Sequence, residues 1–188
     1  MVNGFGRTSS VDFTKLTMPN HTWNLVKLND KWYLCDPTWS TGISFPDEGR
    51  FKFQYNDGYF LTEPKLFFQN HFPLESQFSL LGDKTPSFID FTKSPLLYGG
   101  AFTVLKEHLS PLKMHHIINK NDAFTFKYLL KKEIDLSKIK FVIVSGANEY
   151  TVKPKINFKN NLLNLEHIFK SRGFYDLHLY IENELIAT

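Results

Sequence analysis

His21 and Asp36 bracket the segment HTWNLVKLNDKWYLCD, and both are residue types that handle protons. Residues 21–28 and 31–37 are rich in Trp, Tyr, Leu and Val and read as two strands. Asn29-Asp30 between them favours a tight turn. A two-residue turn sets Leu28 opposite Lys31, Trp23 opposite Asp36 and His21 opposite Thr38. Side chains on a strand alternate between faces, so His21, Trp23, Asp36 and Thr38 share one face, with His21 and Asp36 as diagonal neighbours. A carboxylate there would fix the tautomer and orientation of the imidazole. The other ring nitrogen would then be available to activate a nucleophile. A turn one residue longer or shorter would put the two on opposite faces. On spacing alone, an ordinary polar surface pair stands beside the catalytic reading.

A nucleophile is harder to find. Cys35 is the one cysteine in the chain. It is adjacent to Asp36 on the same strand and so points to the other face, across from Asn24. It is expected to be a buried structural thiol. Thr8, Ser9 and Ser10 precede His21, but nothing marks any of them as an activated hydroxyl. His115-His116 would point to opposite faces of a strand and have no spaced Cys or His partner, so no metal site is predicted. His71 and His108 read as lone packing residues, and Trp23, Trp32 and Trp39 as packing aromatics. Asp47-Glu48, Glu149 and Glu182 are isolated acids, unlike the paired carboxylates of a glycosidase. No phosphate-binding loop or dinucleotide fingerprint occurs, and no cofactor is predicted.

Turn and breaker signals suggest how these residues are positioned. Residues 40–58 carry Gly42, Pro46, Gly49 and Gly58 and read as loop, with one strand near Phe51–Tyr55. Thr62 is a candidate cap for a short helix through Pro64–Phe68, ended by Pro73. Residues 82–96 read as a linker. Short apolar segments then recur: Ala101–Leu105, Met114–Asn119, Ala123–Leu130, Ile139–Val144, Tyr150–Ile156, Leu162–Phe169 and Tyr175–Ile181. That spacing predicts an antiparallel β-sandwich, with Leu162–Phe169 open to a helical reading.

Composition sets outer limits. Of 188 residues, 42% are hydrophobic and 22% charged, enough to bury a core. The net charge of +3 comes from scattered lysines, so no basic stripe for nucleic acid is expected. A single cysteine precludes an internal disulfide and fits a reducing compartment. No signal peptide and no membrane-length apolar run is apparent, so a cytoplasmic location is expected. Asn20-His21-Thr22 matches the glycosylation acceptor pattern, but without a secretory signal it is not expected to function as one.

His21-Thr22-Trp23-Asn24, Val26, Lys31-Trp32-Tyr33-Leu34, Asp36-Pro37-Thr38-Trp39 and Gly42 together resemble the His/Asp hairpin of transglutaminase-like proteins. Phe53, Tyr55, Tyr59-Phe60-Leu61-Thr62, Pro64, Phe68, His71-Phe72-Pro73 and Gln77–Leu81 narrow the resemblance to the kyphoscoliosis peptidase branch. It spans roughly residues 20–82, and residues 97–188 are similar only in pattern to the β-sandwich that follows the core in that branch. The resemblance implies an α+β fold. A partial transglutaminase-like (papain-like) core of mainly antiparallel strands with a short helix would occupy residues 1–83. An Ig-like antiparallel β-sandwich would occupy residues 97–188.

The resemblance further implies a Cys-His-Asp triad with His21 as general base and Asp36 as its orienting partner. The family nucleophile is a cysteine at a helix start, upstream of the histidine, and Val2–Gly6 resembles the strand between them. The chain is therefore expected to begin after the segment that supplies the thiol. Two functions follow as expectations. One is an inactive module binding protein partners, with cytoskeletal proteins implied by the family. The other is part of an active cysteine peptidase or acyltransferase. A core without its cysteine helix would also leave exposed apolar surface over the face bearing His21, Trp23 and Asp36.

Overall fold

The computed structural model describes residues 1–8, 11, 16–45 and 48–188. Ser9, Ser10, Pro46 and Asp47 lie outside the described residues. The chain forms two compact units, Met1–Thr92 and Lys93–Thr188. Both are built mainly from antiparallel strands with a few short helices, a β-rich α+β fold.

The first unit opens with β1 (Val2–Gly6), β2 (His21–Leu28) and β3 (Lys31–Cys35). Asn29 and Asp30 both take positive φ, 48° and 61°, the geometry of a tight hairpin turn whose twist matches that of the strands. The register is the expected one, with Leu28 opposite Lys31 and Asn24 opposite Cys35. The strand stops sooner than expected. Asp36 caps a short helix, α1 (Pro37–Thr41), by accepting a hydrogen bond from the Trp39 amide at 3.0 Å. Pro37 at the first helical position favours that start, so Thr38 belongs to a helix and does not face His21 across the ladder.

Beyond α1, the expected loop holds a hairpin of β4 (Gly42–Phe45) and β5 (Arg50–Phe53). β6 (Phe60–Thr62), α2 (Pro64–Phe67) and β7 (His71–Pro73) follow. Glu63, not Thr62, occupies the cap position of α2. The Thr62 hydroxyl instead donates to the Gly58 carbonyl. Pro73 closes a strand, the helix having ended several residues earlier. The main sheet runs β6-β3-β2-β1-β7.

The stretch expected as a linker contains α3 (Phe88–Lys93). Phe91 is buried, and its ring lies 5.8 Å from Phe68 and 5.4 Å from Phe72. Its carbonyl accepts a buried hydrogen bond from Arg7 Nη1 at 3.0 Å. Phe91 therefore belongs to the core of the first unit, with half-buried Phe88 packed against Phe5 and Phe72 beside it.

The second unit has α4 (Gly99–Val104) and eight strands: β8 (Leu105–Ser110), β9 (Ala123–Leu130), β10 (Ile139–Ser145), β11 (Asn148–Val152), β12 (Lys155–Lys159), β13 (Leu162–Ile168), β14 (Asp176–Ile181) and β15 (Glu184–Ala187). They form two four-stranded antiparallel sheets, β11-β10-β14-β15 and β12-β13-β9-β8. Period-two burial explains the pairing. Ile139, Phe141 and Ile143 sit opposite Ile181, Leu179 and Leu177, while Leu163 and Leu165 sit opposite Tyr128 and Phe126. The two buried faces meet where the Phe126 and Phe141 rings lie 5.1 Å apart.

Several boundaries differ from the sequence reading. Residues 99–104 are helical where a strand was expected, 114–119 form no strand, and Leu162–Ile168 is a strand throughout. The expected Tyr150–Ile156 strand divides between two sheets around Pro154, which has no N–H to donate to a ladder.

Candidate functional site

β1 makes room for the site. A Cβ on Gly6 would come within 2.9 Å of the His21 Cβ, and one on Gly4 would collide with the Trp23 ring. His21 opens β2, and Asp36 lies just past the end of β3. The β-ladder and the α1 cap together aim both side chains at one point.

There, His21 Nε2 lies 2.6 Å from Asp36 Oδ2. A second imidazole meets the same oxygen, with His71 Nε2 at 2.9 Å. Asp36 Oδ1 accepts from the Trp39 amide. The carboxylate is thus held at both oxygens, and its side chain is fully buried. The His71 side chain is also fully buried, while that of His21 is 13% exposed. His71 Nδ1 faces the Phe67 carbonyl at 3.2 Å. The rings are packed tightly: His71 stacks on Phe67 at 3.8 Å, and His21 stacks on Trp39 at 4.8 Å.

Burial alone would raise the Asp36 pKa. Hydrogen bonds from His21 and His71, the charge on His71 and the Trp39 amide outweigh it and hold the carboxyl well below the usual carboxylate range. Burial pulls His71 down against the opposing pull of Asp36. Burial pushes the Tyr59 hydroxyl up, and the charge of Asp36 adds to that. Asp36 is therefore held as a carboxylate between two rings.

An ionised carboxylate accepts hydrogen bonds and cannot donate them. His21 must then donate through Nε2–H, and in the neutral ring that leaves the Nδ1 lone pair free. Nδ1 makes no hydrogen bond among the described residues, and it belongs to the one partly exposed side chain of the three.

Donor atoms of His21, Asp36 and His71 all lie within 4.8 Å of one another, close enough to raise the question of a metal. The two nitrogens stand 2.6 and 2.9 Å from a single oxygen, which is hydrogen-bond spacing. Tetrahedral ligands at zinc bond lengths would stand roughly 3.3 Å apart. The three side chains share protons in this arrangement.

The structure brings His21 and Asp36 together as expected and adds His71, which was read as packing. The only sequence signal for His71 was its place in His71-Phe72-Pro73. Trp23 is buried and Trp39 lies on His21, but Trp32 is half exposed, contrary to the packing expectation. Cys35 is buried and turned away from the site, and its Sγ accepts a 3.5 Å contact from the Leu61 amide. Among the described residues, the expected exposed apolar surface over the site face is not found. Trp23 and Asp36 are each 1% exposed, because the rings of Phe67, His71 and Trp39 pack around them. Glu48 pairs with Arg50 on the surface. His115-His116 lie in an irregular segment, and His108 is buried in the second unit with Nε2 donating to the Pro111 carbonyl.

Among the described residues, no helix is long and apolar enough to cross a membrane. Two curated proteins match the chain: kyphoscoliosis peptidase of Mus musculus and kyphoscoliosis peptidase of Homo sapiens. Each is 40% identical over 78 residues. The matched stretch is 42% of this chain and 12% of each relative's length. No family model matches, and no solved structure matches. The chain is related to kyphoscoliosis peptidase over that stretch.

Proposed function

From that relationship, we propose that His21 and Asp36 are the general-base half of a transglutaminase-like, cysteine-type acyl-transfer site. The observation that carries this reading is the unpartnered Nδ1 of a partly exposed imidazole whose Nε2 is tied to a buried carboxylate. In such a site a thiol gives its proton to Nδ1, and the thiolate attacks a peptide or glutamine amide carbon. The resulting oxyanion collapses, the C–N bond breaks, and the imidazolium passes its proton to the leaving amine. The product is a thioester, which water or an amine then opens.

No cysteine of these 188 residues suits the nucleophile's part. By itself the chain is therefore a protein-binding module that does not cleave what it binds. The first unit takes the role of the papain-like core. The facing four-stranded sheets of the second unit support its reading as an Ig-like sandwich that supplies contact surface, with cytoskeletal proteins the family's implied partners. The test is peptide hydrolysis and amine incorporation by the purified chain and by His21→Ala. The expected result is no turnover by either. Turnover that disappears in His21→Ala would overturn the binding-only role.

A second reading is favoured by the same open Nδ1: the pair works in an active peptidase or acyltransferase whose thiol is encoded upstream of Met1. Sequencing the transcript in that direction tests it. An in-frame cysteine at a predicted helix start supports it, and an in-frame stop without one removes it.

A further inference from the structure

We propose that His71 is a positioning residue that holds Asp36 for His21. The inference rests on the reading of His21 and Asp36 as a general-base pair and assigns a role to a third side chain. His71 is unsuited to proton transfer with a substrate, because its ring is fully buried and both nitrogens face protein oxygens.

Its geometry suits a different task. Asp36 Oδ1 is held by the Trp39 amide. That bond alone leaves the carboxylate able to swing Oδ2 about the anchored oxygen. The His71 N–H at 2.9 Å takes one lone pair of Oδ2 and leaves the other for His21 at 2.6 Å. The carboxylate is then fixed at three points, and the direction in which it presents Oδ2 to His21 is set. His71 is itself held by stacking on Phe67 and by the edge of Trp23 at 5.1 Å. β7 brings it there, since His71 sits opposite Gly6 while His21 pairs with Gly4 on the other side of β1. β1 thus separates the two histidines in the sheet, and Gly6 leaves the space that the His21 side chain occupies. The remaining titratable group in ring contact with His71 is Tyr59, 6.3 Å away.

The test is long-range 1H–15N correlation on the imidazoles of the full 188-residue chain, comparing wild type, His71→Leu, His71→Gln and His71→Asn. In the wild type, His21 should show one tautomer with well-separated Nδ1 and Nε2 shifts. In His71→Leu the two shifts should move together as the carboxylate loosens and both tautomers become populated. The glutamine amide reaches the place of Nε2, so His71→Gln should restore the single tautomer. Asparagine, one bond shorter, should not. An unchanged His21 spectrum in His71→Leu would overturn the proposal. If the leucine variant does not fold, equal spectra for the glutamine and asparagine variants would do so.

The spectra do not depend on turnover, so they separate this inference from the functional reading. In a longer, active form carrying the thiol, His71→Leu should lower kcat with little change in KM. Loss of activity in His21→Ala with none in His71→Leu would leave the pair standing and remove the role of His71. Activity that survives His21→Ala would instead remove the functional reading.

Discussion

Asp36→Asn is the most informative single change, because it keeps the shape of the side chain and reverses what one of its two polar ends can do. The asparagine carbonyl can take the place of Oδ1 and keep the Trp39 amide. Its NH2 then stands where Oδ2 stood, facing two ring nitrogens. Both nitrogens must become acceptors. His71 can adapt by carrying its proton on Nδ1, where the Phe67 carbonyl waits at 3.2 Å. His21 can adapt by moving its proton to Nδ1, which costs it the free lone pair. Hydrogen bonds to a charged group contribute about 1.5–3 kcal/mol each and neutral ones about 0.5–1.5. Two such replacements, partly offset by the relief of a buried charge, give an expected loss of about 1–3 kcal/mol. Asp36→Ala, which strands the Trp39 amide and both rings, should cost more, at about 1–3 kcal/mol for each buried group left without a partner. Urea titration at pH 7 followed by tryptophan fluorescence measures this selectively, because Trp23, Trp32 and Trp39 all lie in the first unit. In an active form of the protein the wrong tautomer should cut the rate by about 10⁴. A stability change below about 0.5 kcal/mol, with the His21 proton still on Nε2, would refute the reasoning.

Three further outcomes are expected. Because the folded pKa of His71 is depressed, the unfolded chain takes up a proton first as pH falls. Stability from this group is therefore full above about pH 6.5 and declines below it, and Asp36, also depressed, adds a second loss beginning near pH 4. Urea midpoints for the tryptophan signal should fall between pH 7 and 5, with a shallower fall in His71→Gln. Parallel curves would contradict the assignment. Cys35 should resist a thiol reagent in the native chain and react on unfolding at a rate set by urea, since its residue is 4% exposed. Fast native labelling would mean the thiol is accessible after all. Gly6→Ala should cost about 1–3 kcal/mol by driving a methyl group into the His21 ring, and a variant as stable as wild type in the same titration would show that β1 can yield there.

The hairpin was legible because its signals are local. Asn29-Asp30 can adopt positive φ, a two-residue turn admits one register, and the apolar residues on either side follow it. The helix after Asp36 could be read in the same way, since Asp-Pro is a cap followed by a favoured first helical residue, but strand patterning through Pro37 hid it. His71 was not legible. Its link to Asp36 spans 35 positions and runs through a sheet in which β7 joins the far side of β1, and a lone histidine in an aromatic stretch carries no local mark of that. The packing of Phe88 and Phe91 is hidden in the sequence because Pro86 and Gly82 signal a break in the chain more strongly than two phenylalanines signal a core. In the second unit, strands with alternating stretches such as Phe124–Tyr128 and Leu177–Ile181 could be recognised. Residues 99–104 could not, because a short apolar run has no period long enough to tell helix from strand.

The central claim is that Asp36 fixes the His21 proton on Nε2 and leaves Nδ1 open as a base. The measurement that reaches it most directly is the imidazole 15N spectrum of the wild-type chain at a pH where the His21 ring is neutral. One His21 nitrogen protonated at Nε2, with Nδ1 bare, is the predicted result. A proton on Nδ1, or an even mixture of the two tautomers, would contradict it.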